Sequence, residues 1–369
     1  MPVATQSKPQ AGGGGAVPFL EGSWSYREFM AQDTHILGTT SATFSHQITP
    51  GGFLRGVSLF ISSATGVLGT SAALVTDAPF SIFGSMSLVS IDGTDILYPM
   101  NGYSYYLVSR FARPWDMDPA KEASGFSNTI NPKFRLRFFV EGRITIGVLP
   151  NTDSRAQYRF QYTLNPLTAA ATTQNGLVTK STGVTAPKVT ITIFLETYAQ
   201  PPQVDYAGNA IVQIPDGLTL QRFCSHQSGT PTNTGTNTIK ENRVGNLIRL
   251  LLLVVRGSNG KRVNLTSNPI RWRLDNTQLL TEYRTVRTYE TDRFGSQQSA
   301  TQTGTRPTGV YPYFRFHNPG QMDGDYWLAT TEASYLQFEL NGGPASGTLE
   351  TITEDLAPAG PIPAYLRGL

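Results

Sequence analysis

Ile91-Asp92-Gly93-Thr94-Asp95-Ile96-Leu97 returns later in the chain as Leu274-Asp275-Asn276-Thr277-Gln278-Leu279-Leu280. At the same shift of 183 positions, Tyr106, Arg110 and Phe111 fall on Tyr289, Arg293 and Phe294. Each copy is a polar turn, an apolar pair and a segment ending in Arg-Phe. Phe53-Leu54-Arg55 up to Ile61 is echoed by Leu247-Ile248-Arg249 up to Val255, at a shift of 194. The difference between the shifts places about eleven fewer residues between the two blocks in the second half, an indel of the size that surface connections absorb. The chain therefore reads as two similarly built halves.

Around these marks the dominant signal is alternation. Phe53, Val57, Leu59 and Ile61 share one strand face, as do Phe134, Leu136, Phe138 and Val140, and Val189, Ile191, Ile193 and Leu195. That period of two predicts half-buried sheet. Leu247 to Val255 is apolar on both faces apart from Arg249, which predicts a strand buried on both sides. At nine residues it is far short of the roughly 20 apolar residues of a membrane span. Tyr103, Tyr106, Leu107 and Phe111 lie at i, i+3, i+4 and i+8 after Pro99, the spacing of a short helix with proline in its first turn. Leu279, Tyr283 and Val286 predict its counterpart in the second half. Trp24 to Met30 predicts one or two helical turns.

Each half offers about eight short strands around one helix. Eight antiparallel strands in two facing sheets make a jelly roll. The expected fold is all-β, two tandem eight-stranded jelly rolls (β-sandwiches), each with a short inserted helix. Residues 1–35, with Gly12 to Gly15 and no periodic apolar pattern, form an N-terminal arm. The first jelly roll spans 36–200, the proline-containing linker 201–210, the second jelly roll 211–357 and the tail 358–369. Asn165 to Lys188, Ser225 to Asn242 and Gly295 to Gly309 read as long polar loops.

Composition supports this reading. Of 369 residues only 15% are charged, while 36 are Gly and 24 are Pro, a balance suited to strands and turns. A net charge of +3 without a basic cluster argues against a dedicated nucleic-acid binder. The single Cys224 excludes an intrachain disulfide and a thiolate metal cluster. The first twenty residues lack a basic stretch followed by an apolar one, so no secretory leader is expected. Asn264-Leu-Thr266, a match to a glycosylation sequon, then carries no meaning.

No catalytic constellation emerges. Cys224 and His226 lie two apart without a third orienting group, which reads as a buried thiol beside a polar histidine. His35, His46, His226 and His317 lack ligand spacing. Asp323 and Asp325 are spaced to chelate calcium, but Gly and Pro around them favour a plain turn. Arg256-Gly-Ser-Asn-Gly-Lys-Arg262 matches no phosphate loop and reads as a solvated hairpin. Arg135 and Arg137, on the outward face of a strand, are candidates for ion pairs between subunits. No catalytic residue and no cofactor is expected.

In element order the chain resembles the double jelly-roll major capsid proteins of tailless, internal-membrane icosahedral viruses, the tectivirus-type phages above all. The resemblance rests on Val189-Thr-Ile-Thr-Ile-Phe-Leu-Glu-Thr-Tyr198, the linker into Ile211-Val-Gln-Ile-Pro-Asp-Gly-Leu218, the segment Leu279 to Phe294, and Thr308-Gly-Val-Tyr-Pro-Tyr313. It implies a capsid protein of a bacteriophage virion, assembled in the host cytoplasm as a homotrimer of six jelly rolls. Such a pseudo-hexagonal capsomer tiles an icosahedral shell. Its partners would be other copies, a vertex protein and, through the N-terminal arm, the internal membrane. The competing expectation is a tandem β-sandwich spike that binds carbohydrate or a receptor.

Overall fold

The computed structural model describes residues 17–64, 66–67, 73–112, 132–140, 145–155, 157–169, 173–180, 183–201, 212–215, 220–232, 234–265, 269–275, 277–282, 308–313 and 327–358. In the first half the strands are β1 (Ser25–Ile36), β2 (Ala42–Gln47), β3 (Phe53–Ala64), β4 (Phe83–Val89), β5 (Asp95–Met100), β6 (Phe134–Phe139), β7 (Leu149–Pro150), β8 (Arg159–Leu164) and β9 (Lys188–Tyr198). In the second half they are β10 (Leu220–Gly229), β11 (Thr236–Lys240), β12 (Leu247–Arg256), β13 (Ile270–Leu274), β14 (Thr277–Glu282), β15 (Val310–Tyr313), β16 (Leu328–Ala329), β17 (Leu336–Asn341) and β18 (Thr348–Pro358). Two helices are described, α1 (Phe19–Gly22) and α2 (Gly102–Ala112).

The pairing order shows the duplication. The first half builds one sheet in the order β1-β9-β3-β6 and a facing set in the order β2-β8-β4-β5. The second half builds β10-β18-β12-β15 and β11-β17-β13-β14. With the two-residue strands β7 and β16 set aside, both halves pair first strand with last, last with third and third with sixth. Both also pair second with seventh, seventh with fourth and fourth with fifth. That is one jelly roll written twice.

Even the irregularities coincide. Arg55 bulges out of the β3–β9 ladder between Leu54 and Gly56, and Arg249 bulges out of the β12–β18 ladder between Ile248 and Leu250. Ile96 is skipped where β5 pairs with β4, and Leu279 where β14 pairs with β13. A bulge re-aims side chains and increases local twist, so a shared bulge marks equivalent positions. These pairs fall at the shifts of 194 and 183 read from the sequence. The repeated stretch is the hairpin between the fourth and fifth strands of each barrel.

The barrels join edge to edge. Strand β5 lies parallel to β10 through the pair Leu97 and Cys224, which fuses four strands of the first half with five of the second into a nine-stranded sheet. Strand β12 is buried on both faces, as its composition predicted. After the Arg249 bulge, Leu250, Leu252 and Val254 face the larger core shared with the first barrel. Ile248, Leu251, Leu253 and Val255 face the second barrel's own core. Each such side chain contributes about 1.5–3 kcal/mol on burial, so one strand stabilises both barrels.

Helix α2 starts where Asn101 caps it: the Ser104 N–H donates to Asn101 Oδ1 at 2.8 Å. Pro99 lies in β5, one turn earlier than expected. Tyr103, Tyr105, Tyr106, Leu107 and Phe111 are all buried, and the Phe80 ring stacks on Tyr106 at 4.3 Å. The predicted counterpart begins differently. Leu279 belongs to strand β14, because the hairpin partner β13 claims its backbone; Tyr283 and Val286 lie outside the described residues.

Three further expectations are corrected. Trp24 to Met30 is not helical: Ser25–Ile36 forms β1, and residues 25–35 of the expected arm are a strand of the first barrel. The i, i+3 and i, i+4 spacing of Tyr26, Phe29 and Met30 suits a helix locally, but an eleven-pair ladder with β9 overrides that preference. Within the expected loop 165–188, Leu177 and Val178 are fully buried and Val178 bridges Leu74. Within 225–242, β10 continues to Gly229 and Thr236–Lys240 forms β11. The arm residues 17–22 fold back on the first barrel, with Phe19 edge-on to Phe53 at 5.2 Å and Tyr198 at 5.6 Å. Of the expected linker 201–210, residues 202–210 lie outside the described residues.

Candidate functional site: the junction between barrels and the outer sheet face

The hairpin Arg256–Arg262 is solvated only at its tip. Ser258 and Asn259 are exposed, whereas Arg256 and Arg262 are buried. Both guanidiniums reach across to the first barrel. Arg256 Nη1 donates to Asp77 Oδ2 at 2.7 Å, and Arg262 Nε donates to Asp77 Oδ1 at 2.8 Å. Arg256 Nε donates to Glu350 Oε1 at 2.9 Å. Arg262 also donates to the carbonyls of Thr76 and Thr308, each at 3.1 Å, and lies 4.3 Å from the Tyr103 ring centre. Two cations thus meet two carboxylates in a buried cluster.

The electrostatics follow from this geometry. Burial alone would raise the Asp77 carboxyl, but Arg256 and Arg262 more than offset it and hold it below the usual carboxylate value. Glu350 behaves in the same way, with burial opposed by Arg256 and then His226. A cleft of about 200 Å³ opens beside the cluster, lined by Asp77, Tyr103, Asn165, Gln174, Arg256 and Glu350 among others. Because both arginines are already matched by carboxylates, it offers an anion no net positive charge. The arrangement clamps the barrels together.

A second buried set sits on β18. Arg249 pairs with Glu354, and Arg243 Nη2 donates to Asp355 Oδ2 at 2.8 Å. Asp355 also accepts from Asn246 Nδ2 at 2.7 Å, yet burial leaves its carboxyl raised.

The residues singled out in the sequence do not converge. Cys224 is buried at the β5–β10 bridge, and His226 points to Glu350 at 4.0 Å. His46 bonds Asp33 at 2.6 Å, an acceptor it shares with the Tyr162 hydroxyl. The His35 ring lies against Phe44. Asn264 Oδ1 accepts from the Gly309 N–H at 3.0 Å. His317, Asp323 and Asp325 lie outside the described residues. Among the described residues, no three His, Cys, Asp or Glu side chains group as metal ligands, and no helix is long and apolar enough to cross a membrane.

One surface escaped the sequence reading. On the outer face of β1-β9-β3-β6, Phe29 is 58% exposed and Phe194 lies 6.0 Å from it, with Phe60 a further 5.4 Å on. Arg27 and Arg135 stand 5.5 and 5.6 Å from the Phe60 ring centre. Arg27 Nη2 pairs with Glu196 at 2.7 Å, and Ser58 Oγ donates to the same carboxylate at 2.7 Å. The signal was present: Phe60 and Phe194 occupy the outward positions of strands whose inward positions are already apolar.

No family model matches the chain, and no curated protein matches it. Solved structures do. The STIV MCP matches at a TM-score of 0.61 and 11% identity, covering 94% of this chain and 100% of that one. The major capsid protein P2 from Bacteriophage PM2 matches at 0.51 and 10% identity, covering 91% and 98%. The PBCV-1 virus capsid matches at 0.51 and 11% identity, covering 90% and 93%. At such identities the likeness is one of fold. The chain has the double jelly-roll fold of these viral major capsid proteins.

Proposed function

We propose that this chain is the major capsid protein of an icosahedral virus, with a structural and not a catalytic role. The observation that carries the reading is the pair of topologically identical barrels, clamped edge to edge within one chain. A rigid two-barrel unit is one third of a closed tile, since three copies supply six similar barrels. In this reading the capsomer is a homotrimer of pseudo-hexagonal outline that tiles the virion shell over an internal membrane. The N-terminal arm would be the part that meets that membrane, a separate vertex protein would fill the fivefold positions, and assembly would take place in the host cytoplasm. A phage host fits the PM2 likeness.

The test is mass and shape. Purified full-length protein should run as a stable species of three times 40.2 kDa, and electron micrographs should show hexagonal tiles or shells. A stable monomer with measurable sugar affinity would favour a receptor-binding spike instead.

A further inference from the structure

The cleft of about 200 Å³ at the junction is built from both barrels. The first barrel contributes Asp77, Ser81, Asn165 and Gln174 to it, and the second contributes Arg256, Thr348 and Glu350. Its lining is polar almost throughout. Of thirteen lining residues, only Phe83 and Gly260 carry no polar side-chain atom. Small-molecule sites are ordinarily apolar with a few polar groups, so these walls select a ligand that exchanges hydrogen bonds on most of its sides.

Several of these groups are already held in place. Gln174 Oε1 accepts from the N–H and the hydroxyl of Thr76 at 3.0 and 2.8 Å, and Asn165 Nδ2 donates to the Ser81 carbonyl at 2.9 Å. Fixed in this way, they lose little freedom when a ligand arrives. Two others have capacity to spare. Ser81 is 4% exposed and Glu350 8% exposed, yet Ser81 Oγ and Glu350 Oε2 have no hydrogen-bond partner among the described residues. His226 Nε2 stands 4.0 Å from Glu350 Oε2, too far to donate. Buried polar atoms in this state call for a bound partner.

Charge and size narrow the choice. Asp77 and Glu350 are balanced by Arg256 and Arg262, so the cluster favours neither an anion nor a cation. The volume is below the roughly 300–1,000 Å³ of sites for drug-sized ligands. A hydroxyl donates and accepts at once, and adjacent hydroxyls on one ring can meet a carboxylate, a guanidinium and an amide together. We propose that this cleft binds a neutral, polyhydroxylated molecule of monosaccharide size, held between Asp77, Ser81 and Gln174 of the first barrel and Arg256, Thr348 and Glu350 of the second. Such a molecule touches both barrels, and its binding therefore stabilises the junction. The cleft is complete within one chain, so this site does not rest on the capsomer reading.

The test is direct binding to the full-length protein. Titration with D-glucose, D-galactose, D-mannose and myo-inositol, followed by saturation-transfer NMR, should show saturable binding of at least one. For a ligand of about twelve heavy atoms the expected dissociation constant is on the order of 1 mM. Asn175→Trp, at an exposed position of the lining, should fill the cleft and abolish the signal. Thr348→Val keeps the shape of the side chain, removes its hydroxyl and should weaken binding roughly fivefold. Both variants leave the four charges of the clamp in place. Sugars also stabilise proteins by exclusion from their surfaces, an effect that is not saturable and that both variants would share with the wild type. Lost or weakened binding in either variant, with an unchanged far-UV spectrum, supports the site. No saturable binding of any of the four probes, or binding that both folded variants leave unchanged, overturns it, and a trimer that binds none of them leaves the capsomer reading standing.

Discussion

Replacing Asp77 by Asn should weaken the whole molecule, because the carboxylate holds guanidiniums from the other barrel. In its absence Arg262 keeps only the Thr76 and Thr308 carbonyls and the Tyr103 ring, and Arg256 keeps Glu350 and the Gly260 carbonyl. Asp77 is 2% exposed, so bulk water reaches it only through the adjoining cleft and replaces little of the lost pairing. Removing one partner of a buried ion pair costs about 3–5 kcal/mol, since it strands the remaining charge. Unfolding entropy of about 2.1 cal/mol/K per residue over 369 residues converts this to a fall in Tm of roughly 4–6 °C for cooperative unfolding. Scanning calorimetry at pH 7 reads it directly. Adding Arg262→Met should restore about half of the loss, because the stranded charge is removed. The pH profile gives an independent reading. Asp77 and Glu350 have depressed folded pKa values, so their stabilisation is full above the unfolded carboxylate value near 4 and lost as pH falls through the lower folded values. Asp77→Asn should flatten that acid limb. A Tm change below about 1 °C, or an additive effect of Arg262→Met, would refute the clamp.

Two other perturbations test separate parts of the fold. Burial pushes Glu241 up to about 7, with Thr351 only partly opposing, so stability present below the unfolded value of 4.5 is lost as pH rises through 7. Glu241→Gln should stabilise the protein at pH 8 by about 3 kcal/mol and leave it unchanged at pH 4; denaturant midpoints at the two pH values check this. Asn101→Ala removes the cap of α2 and should cost about 1 kcal/mol, read as a lower urea midpoint with an unchanged slope.

Much of the architecture was legible because many strands bury one face and leave the other polar. Val189, Ile191, Ile193 and Leu195 alternate with polar or half-buried residues, and all four point to the core. Arg55 and Arg249 align in sequence because both mark the same bulge. The strands that leave no trace in the sequence are the polar ones: in Thr236–Lys240 only Asn237 is buried, so no apolar period exists to read. Strand β1 reads as helical because Tyr26 and Met30 stand at helical spacing, and only the β9 ladder distinguishes the two. The junction was hidden for another reason. Asp77, Glu350 and the Arg256–Arg262 hairpin are far apart in the chain, each at a strand end or in a turn, where charges are ordinarily solvated. The one hint lay in β18, where Glu350, Glu354 and Asp355 interrupt a strand whose neighbours are all buried.

The single bridge between β5 and β10 also bears on how the chain is made. The first barrel has all its strands once Tyr198 has emerged, yet the edge of β5 stays bare until Leu220–Gly229 follows. An uncovered strand edge is a template for pairing with other chains. Strand β10 in turn cannot be held by its own barrel until Thr348–Pro358 arrives to form β18. At translation rates of roughly 5–20 residues per second, that interval is on the order of ten seconds. For that time the nascent second barrel has only the finished first barrel to rest on. The junction that ties the mature halves together is thus also the scaffold on which the later half can begin, and a lesion there would be felt first on the ribosome, as aggregation, before any effect on the finished particle.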